Sequence, residues 1–172
     1  MSKIILLGYM GSGKSTIAKS LSKIKQLPFV DLDNYIEEKA KMTIKNIFET
    51  KGEIYFRKLE HQCFLELLDN DQDYIIGLGG GTPCYANNHE LLIGEGRISI
   101  YLKASIDTLF NRLVLEKSQR PLIADKTDEE MKEFIAIHLF ERSYFYNQAQ
   151  YTVSVDQSVD LIVADIIKVL NA

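Results

Sequence analysis

The chain has little of what marks several protein classes. Only three prolines occur among 172 residues, and no Pro/Gly/Ser-rich stretch interrupts the sequence, so nothing reads as a linker between domains. Two cysteines, Cys63 and Cys84, form no CxxC pair, which argues for reduced, unpaired thiols. The three histidines, His61, His89 and His138, have no HExxH or comparable spacing, so a zinc site held by the protein is not expected. No apolar run is long enough to cross a bilayer. The apolar stretch at residues 3–7 passes straight into a glycine loop, with no cleavage site. Twenty Lys and Arg against twenty-four Asp and Glu leave a net charge of −4, and no overall positive field would gather nucleic acid or anionic lipid. The expectation is a cytoplasmic protein with neither nucleic acid nor membrane as partner.

What remains is an ordinary globular composition, 46% hydrophobic and 26% charged, in a length suited to one domain over residues 1–172. Short β-branched runs alternate with longer amphipathic stretches, the rhythm of βα units around a parallel sheet. Strands are predicted at 3–7, 29–32, 74–77, 98–102 and 151–155. Helical periodicity follows Lys14 and covers 33–51, 53–68, 105–115, 128–146 and 158–170, with Gly52 separating two helices. Residues 116–127 lack a clean period, and Arg120-Pro121 disfavours helix there, so this segment reads as a mobile loop. The fold class is α/β: five parallel strands flanked by helices on both faces.

The strongest motif is Gly8-Tyr9-Met10-Gly11-Ser12-Gly13-Lys14-Ser15, which fits GxxxxGK[ST] directly after an apolar strand and directly before a helix. Glycines let the backbone curl so that successive N–H groups point at phosphate oxygens, and the helix N-terminus adds partial positive charge. Lys14 can reach the β- and γ-phosphates of a bound nucleotide as a point charge. The Ser15 hydroxyl suits Mg²⁺, a hard cation that takes oxygen ligands.

Asp31 and Asp33 end the second predicted strand. Period-2 alternation would send both carboxylates to one side, one near Mg²⁺ and the other orienting an acceptor hydroxyl. The plainer alternative is that they cap the following helix. No NKxD sequence and no strand ending in Asp-Glu occurs, which removes most support for a GTPase or a mechanical ATPase. Small kinases remain.

At this point a resemblance becomes specific. GxxGSGKST at 8–16, DxD at 31–33, GExxFRxxE at 52–60, GGG at 79–81 and RPL at 120–122 together resemble the shikimate kinases, in order and through Arg142. The resemblance implies a fold related to the nucleoside monophosphate kinases, and transfer of phosphate from ATP to the 3-hydroxyl of shikimate with Mg²⁺.

Residue by residue, it makes Asp33 the carboxylate that binds the substrate hydroxyls and accepts the attacking proton, and Asp31 the one near Mg²⁺ beside Ser15. Arg57 and Arg142 match the arginines that grip the shikimate carboxylate. Without the family, Arg57 could pair with Glu53 or Glu60 on its own helix, and Arg142 could be a solvated charge. Gly79, Gly80 and Gly81 match the run that contacts shikimate, although a plain flexible turn would look the same. Thr82 stands where a small apolar residue is expected. Arg120 matches a lid arginine that neutralises the transferring phosphates, its alternative being a solvated loop charge. Arg112 matches the arginine flanking adenine, or pairs with Glu116 four residues on. Gly11, Ser12, Gly13, Lys14 and Thr16 complete the expected nucleotide contacts. Lys14, Asp33 and Arg120 are the expected catalytic set. A monomer is expected, and Gln148 and Gln150 carry no role.

Overall fold

The computed structural model describes residues 2–172. Strand β1 (Lys3–Leu7) leads through the glycine loop into helix α1 (Lys14–Lys25), and β2 (Phe29–Asp31) into α2 (Leu32–Ala40). Helix α3 (Ile44–Asp69) precedes β3 (Tyr74–Gly77), followed by two short 3₁₀ turns, Thr82–Cys84 and Asn88–Leu92. Then come β4 (Arg97–Lys103), α4 (Ile106–Leu113), a 3₁₀ segment at Val114–Gln119, α5 (Asp128–Tyr146), β5 (Tyr151–Ser154) and α6 (Val159–Leu170).

The strands form one sheet in the order β2-β3-β1-β4-β5, all parallel. Successive strand side chains face opposite sides, yet all five residues of β1 are buried, so both faces of the sheet centre are covered. Helix α1 packs against α6, α2 against α3, and α4 against α5. The Ile and Leu side chains of β1 join Ile75, Ile76, Ile100 and Leu102 from its two neighbours in the core. The sequence-predicted α/β class and strand count hold.

The differences lie at boundaries. The helix expected over 33–51 is two helices: α2 closes on Lys41 in the left-handed conformation, and the Thr43 hydroxyl caps α3 by accepting from Asn46 N at 3.2 Å. Gly52 interrupts α3 at φ 83°, ψ 171°, a region that is essentially glycine-only. A Cβ there would meet nothing within 4 Å, so Gly52→Ala should cost backbone strain alone. About 1–3 kcal/mol is expected, read as a fall of several degrees in Tm; an unchanged Tm would contradict the assignment.

Residues 116–127 are also more ordered in shape than a featureless loop. The 3₁₀ segment runs into their first part, and Ile123 is fully buried among exposed neighbours, pinning the segment to the body. Its end is fixed by a capping box: Thr127 Oγ1 accepts from Glu130 N at 3.2 Å, and Glu130 Oε2 accepts from Thr127 N at 2.8 Å. Cys63 is buried and Cys84 partly so, and both are free thiols. Gln150, unassigned from sequence, ties the start of β5 to Ser99 through two bonds of 3.2 and 3.0 Å.

Candidate active site

The carboxyl ends of β1, β2 and β3 deliver three loops to one edge of the sheet, where parallel α/β folds place their ligand crevices. Between them lies a cleft of about 650 Å³ lined by the glycine loop, both aspartates, Gly79, Gly80, Arg112 and Arg120.

Gly13, at φ 87°, is the N-cap of α1, and no side chain caps that helix, so its first N–H groups are left for an anion in the cleft. Gly11, at φ 80°, packs so closely on Leu113 that a Cβ would lie 2.9 Å from its Cγ. Lys14 Nζ donates to Gly8 O at 2.7 Å and Tyr9 O at 3.1 Å, curling back over the loop. Burial pushes its ammonium down to about 8, against the pull of Asp33 and then Asp31. Ser12 is fully buried, and among the described residues its Oγ has no hydrogen-bond partner. Ser15 and Thr16 line the cleft behind Lys14.

Asp31 and Asp33 do share the cleft, but not by strand alternation. The strand ends at Asp31, and Asp33 belongs to the first turn of α2. Asp31 Oδ1 accepts from Asn34 N at 3.1 Å, so it caps the helix, as the plainer sequence alternative had it, while still lining the cleft. Burial, then the charges of Asp31 and Glu60, push the Asp33 carboxyl up to about 6, with Lys14 opposing.

The three glycines after β3 each lie against one predicted substrate residue. A Cβ at Gly79 would sit 2.9 Å from Asp33 Oδ1, at Gly80 3.1 Å from Arg142 Nη1, and at Gly81 3.0 Å from Arg57 Nη2. The run is therefore a wall packed closely against these three side chains. Tyr146 donates to Gly80 O at 2.6 Å and fixes it from α5. Arg57, Gly81 and Arg142 thus stand just past the rim of the cleft that holds Asp33 and Lys14.

Arg57 forms the ion pairs that its helical spacing allowed, with Glu60 at 2.9 Å and Glu53 at 3.7 Å. Its guanidinium also lies 3.8 Å from the centre of the Tyr85 ring, leaving other N–H groups for a ligand. Arg120 pairs with Glu116 at 2.6 Å. Glu116 is therefore not the partner of Arg112, as one sequence alternative had it. Arg112 instead donates to Gly11 O at 3.2 Å and Val155 O at 3.1 Å, bridging the glycine loop to the turn after β5.

Some site residues escaped sequence reading. Val159 and Ile162 of α6 line the cleft, but at that spacing they look like ordinary core positions. Tyr9 is buried, and its hydroxyl lies 3.0 Å from His138 Nδ1 on α5. Glu60 was visible as part of the GExxFRxxE run; that it is buried and shared between Arg57 and Thr82 depends on where the glycine wall falls.

Comparison with known proteins points the same way. The family model described as shikimate kinase matches residues 10–171. A shikimate kinase of Flavobacterium johnsoniae is 65% identical over 99% of both chains, and one of Flavobacterium psychrophilum is 48% identical, again over 99% of each. The crystal structure of shikimate kinase from Bacteroides thetaiotaomicron superposes with a TM-score of 0.91 at 35% identity, covering 99% of both chains. That of the Acinetobacter baumannii shikimate kinase in complex with shikimate gives 0.82 at 30%, covering 99% of this chain and 94% of the other. Agreement of family, full-length relatives and fold makes this chain an ATP-dependent kinase that belongs to the shikimate kinase family.

Proposed function

We propose that this chain transfers the γ-phosphoryl group of ATP to the 3-hydroxyl of shikimate, the acid and ATP meeting in the cleft between the glycine loop and the glycine wall. The observation that carries the reading is the wall itself: Asp33, Arg142 and Arg57 pack in turn against Gly79, Gly80 and Gly81. A polyol acid needs that set, a carboxylate for hydroxyls and guanidinium forks for its own carboxylate.

In this reading the loop N–H groups and Lys14 hold the β- and γ-phosphates, and Arg112, Val159 and Ile162 border the adenine. Asp33, poised near 6, is mostly ionised at neutral pH and aims the acceptor hydroxyl while taking its proton. Phosphoryl transfer needs little covalent work from the protein, so positioning and charge carry the rate. Among the described residues no cluster of three or more His, Cys, Asp or Glu could cage a metal. That fits Mg²⁺, which keeps several waters and phosphate oxygens and takes one or two protein ligands. Ser15 and Asp31 would hold it, directly or through water. Bound there, Mg²⁺ would neutralise phosphate charge.

We further propose one kinase domain over 1–172 with 116–127 as its lid, acting as a monomer in the cytoplasm. No helix among the described residues is long and apolar enough to cross a membrane.

Arg120 would leave Glu116 and stabilise charge on the transferring group as the lid closes. Arg120→Met should lower kcat about 10²-fold while changing the KM for ATP far less; a raised KM with kcat unchanged would make it a ground-state ligand only. The reading as a whole is tested by ADP release with shikimate, gluconate and nucleoside monophosphates as acceptors. Stimulation by shikimate is expected, with little ADP formed when no acceptor is present. Stimulation by gluconate alone, or ATP binding without transfer to any acceptor, would overturn it.

A further inference from the structure

We infer that Thr82 is a positioning residue for the acid substrate: by holding one oxygen of buried Glu60, it keeps that carboxylate from taking the whole Arg57 guanidinium. The inference rests on the reading of Arg57 as a ligand of the substrate carboxylate.

Glu60 is 1% exposed and Thr82 fully buried, so neither can turn to bulk water for partners. The two carboxylate oxygens are divided between elements. Oε1 accepts from Arg57 Nη1 at 2.9 Å, within α3, and Oε2 accepts from Thr82 Oγ1 at 2.8 Å, from the turn after the glycine wall. Thr82 is itself held in place. Asn88, also fully buried, donates from Nδ2 to Thr82 O at 2.9 Å, and Asn88 Oδ1 lies 2.6 Å from His61 Nδ1 on α3. The segment after the wall is thereby strapped to the helix that carries Arg57.

The consequence is a division of hydrogen-bonding capacity. A guanidinium has five N–H donors, and a carboxylate readily takes two of them side by side. Here Arg57 gives Glu60 one close bond, and its Nε has no hydrogen-bond partner among the described residues. Were Oε2 without the Thr82 hydroxyl, a buried carboxylate oxygen would be unpaired, which is costly. Arg57, already bonded to the other oxygen of the same carboxylate, has further N–H groups to offer. Glu60 would turn onto them, drawing the guanidinium away from Gly81 and the substrate. A small apolar residue at 82, as expected from the sequence pattern, offers no such donor, so this chain has an added constraint on Arg57.

The test compares near-isosteric substitutions in steady-state kinetics, with Tm recorded for each. Thr82→Val should raise the KM for shikimate about ten-fold, with kcat within two-fold of wild type and the KM for ATP unchanged. Thr82→Ser, which keeps the hydroxyl, should restore the wild-type KM. Thr82→Cys, which differs from Ser by one atom and donates weakly, should behave like Val and serves if the Val variant does not fold. In an Arg57→Lys background the Thr82 substitutions should add nothing further. If Arg57→Lys raises the shikimate KM but Val and Cys at 82 do not, the role of Thr82 is refuted while the Arg57 reading stands. If Arg57→Lys leaves that KM unchanged, the Arg57 reading fails first. A Thr82 effect of equal size in both backgrounds, or one confined to kcat, would also refute the inference.

Discussion

Asp33→Asn is expected to abolish most phosphoryl transfer and at the same time to make the protein more stable. The kinetic half follows from the proposed role: an amide takes no proton from the acceptor hydroxyl, and kcat should fall about 10²- to 10⁴-fold. The thermodynamic half follows from burial. Asp33 titrates near 6 in the fold against an ordinary 3.8, pushed up by desolvation and by Asp31 and Glu60. Between those two values the native state holds a proton that the unfolded chain has released, so stability falls as pH rises through the window. Above about pH 7 the ionised carboxylate costs on the order of 3 kcal/mol, at about 1.4 kcal/mol per pH unit. Asn removes that cost. Thermal unfolding should therefore show the variant several degrees more stable at pH 7.5, with the gap closing as pH falls toward 4. A variant of equal or lower Tm at pH 7.5 would show that Asp33 is not held against its preference. In the unmodified enzyme, kcat/KM for shikimate should fall as pH drops through about 6, as the base is protonated.

Arg57→Ala should lose twice over. The Glu60 side chain is 2% exposed and, among the described residues, has its only ion-pair partner in Arg57 Nη1. Removing that partner strands a buried charge, at a cost of about 3–5 kcal/mol, so Tm should drop by ten degrees or so. Binding should suffer independently, with the KM for shikimate rising about 10²- to 10³-fold as the fork to its carboxylate is lost. Arg57→Lys separates the two effects. It keeps a positive charge beside Glu60 and most of the stability, but an ammonium cannot reproduce the planar fork or its stacking 3.8 Å over Tyr85. A raised shikimate KM with a nearly normal Tm is the expected Lys result. A wild-type KM in both variants would remove Arg57 from the substrate site.

The division of labour between sequence and structure shows in these two residues. Arg57 could be singled out because it sits in a recognisable run and because its i+3 and i−4 neighbours are acidic; the ion pairs it forms are those the helix dictates. Asp33 could be singled out as well, but for an incorrect geometric reason. Alternation along a strand was to align it with Asp31, and instead the strand stops and a helix begins. The pair meets in the cleft because Asp31 caps that helix and Asp33 occupies its first turn.

What the sequence determined alone is whatever depends on local order. The glycine loop before a helix and the βα rhythm with its five strands both follow from spacings of a few residues. Only the tertiary structure decided which distant groups share a charge or a bond: Glu116 with Arg120 rather than Arg112, Arg112 across the loop to Val155, Glu60 divided between Arg57 and Thr82. The reason is physical. Periodicity fixes which face of an element a side chain leaves from, but a buried polar group takes whichever donor packing brings within 3 Å, and that depends on strand order and helix docking, which no local pattern encodes.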